Sequence, residues 1–90
     1  MQLERWKKFS KKEQLRALSA EFLRAGIWQK KDNDNYKSAI ERAISIVDFS
    51  INDEKWLKQK KILFGLRDIL AEIYLNKSKI KDINLVNQAL

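Results

Sequence analysis

The amino-acid sequence predicts an all-α protein: an up-and-down antiparallel bundle of three main helices followed by a shorter C-terminal helix. The chain has no Pro and only two Gly, so little in its composition interrupts a helix interior. Apolar residues recur at helical spacing in segments that short polar links separate, and short links force neighbouring helices to run antiparallel. We therefore assign residues 1–90 to a single domain, with helices at about 11–31, 35–51, 53–75 and 79–89.

The first helix is predicted from a start signal and an apolar face. Ser10 and Glu13 have the spacing of a capping box, in which each residue satisfies a backbone N–H of the other. The apolar residues that share one side of the helical wheel are Leu15, Leu18, Phe22 and Ala25. The link at 31–35 is rich in turn formers, and Asp34 or Asn33 is the expected N-cap of the second helix.

The third helix is expected to be the central element of the bundle. Segment 53–75 is apolar around most of its circumference, so neighbours must cover it on several sides. Arg67 falls inside this apolar arc, and we expect its stem to pack while its charged head reaches water or an acid of the second helix. The helix at 79–89 is too short to be stable alone and must dock, either on its own chain or on a second copy.

Composition excludes most kinds of catalytic and metal chemistry. The chain has no Cys and no His, which removes disulfides, thiol nucleophiles and the commonest general base and metal ligand. The run Asp32-Asn33-Asp34-Asn35 begins like a calcium loop, but Lys37 and Ala43 stand where that loop needs Gly and Glu. We expect no catalytic residues, no metal and no cofactor, and hence a protein that is not an enzyme.

The sequence also lacks the features of a membrane or secreted protein. No apolar run approaches the roughly 20 residues that cross a bilayer. The opening residues lack the apolar stretch of a secretory signal. We therefore expect a cytoplasmic protein.

A basic surface is the first candidate site. The formal net charge is +7, which favours acidic partners. Basic residues prevail up to Lys31 and again from Lys55, whereas acidic residues prevail in between, so the middle helix is expected to be held electrostatically between the outer two. The candidate phosphate-contacting residues are Lys8, Lys11, Lys12, Arg16, Lys58 and Lys61. Trp6 and Phe9 interleave the first of these, as in proteins that stack nucleic-acid bases; a solvated face and a surface for acidic proteins or membranes are the alternatives.

A possible partner surface is the second candidate site. Two aromatic residues lie off the apolar faces of their helices, Trp28 near Arg24 and Phe49 near Arg42. Exposed aromatic residues with Arg are typical of interface anchors. Alternatively, both rings are covered by the fourth helix, by the N-terminal arm (the residues before the first helix) or by a second subunit.

These observations lead to two hypotheses about function. The first is a non-enzymatic helical module that binds another protein or itself, with self-association favoured over a monomer. The alternative is a small basic nucleic-acid-binding protein that contacts phosphates through its Lys and Arg side chains.

Overall fold

The computed structural model describes residues 3–76 and residue 83, and the helices within that range follow the predicted order. A short helix α1 (Leu3–Lys7) precedes α2 (Lys11–Trp28) and α3 (Asn33–Ile51). A 3-10 segment (Glu54–Gln59) then leads into α4 (Lys60–Tyr74). Helices α2, α3 and α4 are the three main helices of the bundle, so the predicted all-α fold is confirmed.

The helix starts show how local sequence sets these boundaries. Ser10 Oγ accepts from the Glu13 N–H at 3.1 Å, and the Ser10 N–H donates to Glu13 Oε1 at 3.1 Å, which confirms the capping box. Helix α2 ends at Trp28, three residues earlier than predicted. The N-cap of α3 is Asp32, not Asn33 or Asp34, because its Oδ1 accepts from the N–H groups of Asp34 and Asn35 at 3.0 and 3.2 Å.

The predicted single helix at 53–75 is two elements. Asp53 caps the 3-10 segment, and its Oδ1 accepts from the Lys55 N–H at 3.0 Å. Within this segment Trp56 is buried and its Nε1 donates to Gln14 Oε1 at 2.5 Å. Gln59 precedes α4 without capping it, because its Oε1 accepts from Lys11 Nζ at 3.0 Å. Contacts with α2 thus hold both Trp56 and Gln59 of the 3-10 segment in place.

Polar contacts establish that α3 and α4 are antiparallel. Arg67 Nε of α4 donates to Asp48 Oδ1 of α3 at 2.5 Å, as expected for an arginine inside an apolar arc. Two turns further along α4, the Tyr74 hydroxyl donates to Glu41 at 2.7 Å. As the chain advances along α4, its partner in α3 moves backwards, which is the signature of antiparallel packing.

The central helix is α3, and the prediction that 53–75 occupies this position is wrong. Four α3 residues are completely buried: Ala39, Ile40, Ala43 and Val47. Helix α3 packs against both α2 and α4, whereas those two make little contact with each other. On α4, Ile62 and Leu75 remain 72% and 60% exposed. Helix α3 is therefore covered on two sides, whereas α4 keeps part of its apolar surface exposed.

Ile83 lies in the core of its own chain. Ile83 is helical and only 1% exposed, and it belongs to the same apolar cluster as Phe22, Ile40 and Leu70. Its N–H donates to Gln29 Oε1 at 3.2 Å. The predicted helix at 79–89 otherwise lies outside the described residues.

Candidate interaction site

A groove lies between α2 and α3 in the described part of the chain. The volume of the groove is about 470 Å³. This is within the range of sites that accept a small ligand or a few side chains. Helix α2 supplies small residues, Ala17 and Ala20, that leave room between the helices. Helix α3 supplies Ile46 and Phe49, which make the groove largely apolar.

A buried carboxylate organises the charged side of this groove. Glu21 is 6% exposed and lies between the guanidinium groups of Arg24 and Arg42. Arg24 Nη1 donates to Glu21 Oε1, and Arg42 Nε donates to Glu21 Oε2 at 2.6 Å. A buried carboxylate costs free energy unless it is paired, and here two cations pair with it.

The arginines keep hydrogen-bonding capacity for a further group. Their side chains are 55% and 52% exposed, and each uses one nitrogen on Glu21. A guanidinium has five N–H donors, so most of them remain available at the rim of the groove. Two positive charges against one negative charge give this cluster a net charge of +1. The arrangement therefore fits an anionic group attached to an apolar one.

Three of the four residues predicted for the partner surface line this groove. Arg24, Arg42 and Phe49 come together, although they are distant in sequence. Trp28 does not line it; it is the last residue of α2 and is 38% exposed. The Phe49 ring lies 6.4 Å from the Trp6 ring, centroid to centroid, so the N-terminal arm covers one side of it, as one alternative anticipated.

Sequence reasoning missed the role of Glu21 as the shared partner of both arginines. The signal was present within α2, because Arg24 follows Glu21 at a spacing that allows helical ion pairs. Nothing local to the sequence indicates the second pair, since Arg42 is on the next helix. The neighbouring hollow was also missed; it has a volume of about 350 Å³ and includes Trp6, Arg16 and Ala17.

The basic candidates divide into one fixed residue and five exposed ones. Lys11 Nζ donates to Gln59 and lies 4.9 Å from the centroid of the Trp56 ring, so it stabilises the fold. The exposed candidates are Lys8, Lys12, Arg16, Lys58 and Lys61. The contact between Lys11 and Gln59 brings the start of α2 beside the start of α4. The basic residues at these two helix starts therefore share one end of the bundle.

The aromatic residues of the basic segment are not arranged for stacking. Trp6 is 1% exposed and packs its ring edge against Phe9, with 6.2 Å between centroids. The Trp6 carbonyl accepts from Gln14 Nε2 at 2.9 Å, which holds the N-terminal arm on α2. The Trp6 indole, which is surrounded by basic residues in the sequence, is therefore part of the packed interior.

Across residues 3–76 and 83, no three His, Cys, Asp or Glu side chains are grouped as a metal site. The helices in that range include none with the length and apolar character needed to span a bilayer.

Comparisons with models of known protein families, with curated proteins and with solved structures found no match for this chain.

Proposed function

We propose that the chain is a non-enzymatic protein-interaction module whose α2–α3 groove binds an acidic segment of a partner protein that also carries an apolar side chain. The single observation that supports this proposal is the Glu21 cluster, in which two arginines share one buried carboxylate beside an apolar groove. Charge and shape in this groove thus favour the same kind of partner.

The arginines suit recognition of a carboxylate because they are already oriented. Glu21 holds both guanidinium groups, so less side-chain freedom is lost when a partner binds. A guanidinium fork matches the two oxygens of a carboxylate, which makes the contact directional as well as electrostatic. We therefore assign Arg24 and Arg42 to the acidic residues of the partner.

The apolar part of the groove supplies the second half of recognition. Phe49 and Ile46 face a space that alanines on α2 keep open, and a partner side chain that enters it loses contact with water. Binding energy at interfaces concentrates where aromatic and Arg residues surround such a pocket. The net charge of +7 would also speed the encounter with an acidic partner.

Synthetic peptides provide the test. Fluorescence anisotropy should detect binding of a short peptide that carries one aromatic residue beside several glutamates, and binding should weaken when glutamines replace those glutamates. Arg42→Gln should weaken binding about tenfold, because a hydrogen bond to a charged group contributes about 1.5 kcal/mol or more. Arg5→Gln removes the same charge from an exposed site and is the matched control.

A second variant separates binding from folding. Arg42→Gln also removes a partner of Glu21, so a loss of binding could reflect a change in the fold. Ala20→Leu fills the groove and leaves the Glu21 cluster intact. It should abolish peptide binding while the far-ultraviolet circular dichroism spectrum is unchanged. Equal affinity for the glutamine peptide, or full binding by Ala20→Leu, would contradict the proposal.

Nucleic-acid binding is the second candidate, because exposed lysines from two segments share one end of the bundle. Lys12 follows Lys11 and Lys58 precedes Gln59, so the contact of Lys11 with Gln59 brings lysines of both segments to this end. Contacts with phosphates weaken steeply as salt rises. Absence of a gel shift with DNA and RNA at low salt, or a shift insensitive to salt, would eliminate this candidate.

A further inference from the structure

The outer face of α4 has features that the groove does not explain. It consists of exposed residues spaced three or four apart, so that they share one side of the helix: Lys61, Phe64, Gly65, Asp68, Glu72 and Leu75. Phe64 and Leu75 are 52% and 60% exposed. The two side chains lie on the same side of the helix about three turns apart, with Asp68 and Glu72 between them, so this face combines exposed apolar and charged residues.

The charges on this face are ordered along the helix. Lys61 lies in the first turn, and Lys58 precedes it in the 3-10 segment, whereas Asp68 and Glu72 lie in the second half. Two parallel copies of α4 would place like charges side by side. Two antiparallel copies instead place Lys61 of each against Glu72 of the other, and this favourable contact occurs twice.

Gly65 lies between the basic and acidic halves of the face. Apart from its chain neighbours and the backbone of its own helix, no heavy atom of the described residues comes within 4 Å of the position that a Cβ would occupy there, so this side of the helix is open. A residue without a side chain permits close approach of a second backbone. Its place near the middle suits the crossing point of two identical helices.

We propose that a second copy of this chain packs on the outer face of α4, with the two helices antiparallel about a twofold axis that passes between Gly65 and Asp68. A twofold interface uses the same patch on both subunits and must therefore be self-complementary. The outer face meets that condition, because its basic and acidic halves exchange places under the rotation. Phe64 of both copies lies close to the axis and forms the apolar part of the contact.

A charge exchange tests this interface, with the mass in solution measured by analytical ultracentrifugation at low salt. Lys61→Glu and Glu72→Lys should each weaken the dimer by about tenfold, because two attractive contacts become repulsive. The double variant restores opposite charges and should recover the wild-type mass. Lys30→Glu makes the same charge change in the link between α2 and α3 and should leave the dimer intact.

Phe64→Glu provides a second measurement that does not depend on ion pairs. It should yield a monomer with an unchanged far-ultraviolet circular dichroism spectrum. Ala20→Leu should remain dimeric although it no longer binds the peptide. Failure of the proposed groove function and failure of the proposed dimer interface are therefore distinguishable. A wild-type chain that sediments as a monomer at every concentration, or a double variant that stays dissociated, would overturn the proposal.

Discussion

At the scale of single residues, Gln14 joins three parts of the chain. Its side chain is 1% exposed, and its Nε2 donates to the Trp6 carbonyl at 2.9 Å and to Asp53 Oδ2 at 3.0 Å. Its Oε1 accepts from Trp56 Nε1. A buried amide is tolerated when its polar atoms are paired, as they are here. One α2 residue therefore positions both the N-terminal arm and the 3-10 segment.

Asp53 is the charged member of this network. Burial favours the neutral form and would raise the pKa of its carboxyl. Hydrogen bonds from Gln14 and Lys55, together with the charge of Lys55, outweigh burial and hold the pKa below the ordinary value of 3.8. Lys55 Nζ lies 2.9 Å from Asp53 Oδ2 and also donates to the Lys7 carbonyl at 2.6 Å. The ionised carboxylate is thus the form that the fold stabilises.

The lowered pKa of Asp53 predicts a loss of stability in acid. Because the folded pKa is below the unfolded one, the stabilisation is complete above pH 3.8 and is lost as the pH falls through the folded pKa. Asp53→Asn should cost about 2 kcal/mol near neutral pH, since it removes hydrogen bonds to a charged group. Urea denaturation across this pH range should show a shallower pH dependence for the variant than for the wild type.

Some acid dependence should remain in Asp53→Asn because of Glu13. Backbone and side-chain hydrogen bonds with Ser10 lower the pKa of Glu13 from its ordinary value of 4.5. Ser10→Ala, which weakens that cap, is the matched control and should leave the Asp53 part of the profile in place. Identical pH profiles for the wild type and Asp53→Asn would contradict this explanation.

At the scale of secondary-structure elements, α4 is held on one side only. Leu63 and Leu70 are buried on that side, and Arg67 is paired with Asp48 of α3. The Tyr74 hydroxyl is hydrogen-bonded to the Glu41 carboxylate of α3, which raises the pKa of the hydroxyl. Gly65 faces outward, where no atom of the described chain requires its small size. Glycine in a helix interior costs free energy relative to alanine.

Gly65→Ala should therefore stabilise the monomer. The added methyl group has space, and helix propensity favours alanine by about 1 kcal/mol. Urea denaturation at low protein concentration should show a corresponding rise in the free energy of unfolding. In Phe64→Glu, which we expect to be monomeric, the same substitution should give the same gain. A loss of stability in that background would mean that the backbone at Gly65 is constrained by packing after all.

At the scale of the whole molecule, α3 joins the other elements. It contacts α2 through Arg42, α4 through Asp48, and the core through its buried alanines and Val47. On the α4 side an acid of α3, Asp48, pairs with Arg67, as the charge order predicts; on the α2 side the polarity is reversed, because Arg42 of α3 pairs with Glu21 of α2. Ile83 closes the core from the C-terminal side of the same chain.

The burial of Ile83 predicts a large effect from a site near the end of the chain. Ile83→Ala should lower the free energy of unfolding by about 2 to 4 kcal/mol, as for other buried aliphatic residues. Because Ile83 packs on its own chain, the loss should be the same at low and high protein concentrations. Ile62→Ala, at a 72% exposed position, is the control and should change stability little. A loss that depends on concentration would indicate docking on a second copy.

The sequence by itself determined the three main helices and their order. The capping box at Ser10, the polar link before α3 and the apolar periodicity are local signals, and each depends on residues within a few positions of one another. The antiparallel arrangement followed from the shortness of the links. Pairing of Arg67 with an acid of α3 followed from an isolated charge within an apolar arc.

Only the tertiary structure decided which helix is central and where the arginines meet. Apolar content ranked segment 53–75 first, but α3 occupies the centre because both α2 and α4 pack against it, and its pattern alone does not show how many neighbours cover it. The 3-10 turn at Trp56 and the groove at Glu21 depend on partners far away in sequence, Gln14 and Arg42. Periodicity describes one helix at a time, whereas a groove is a property of two helices and the distance between them.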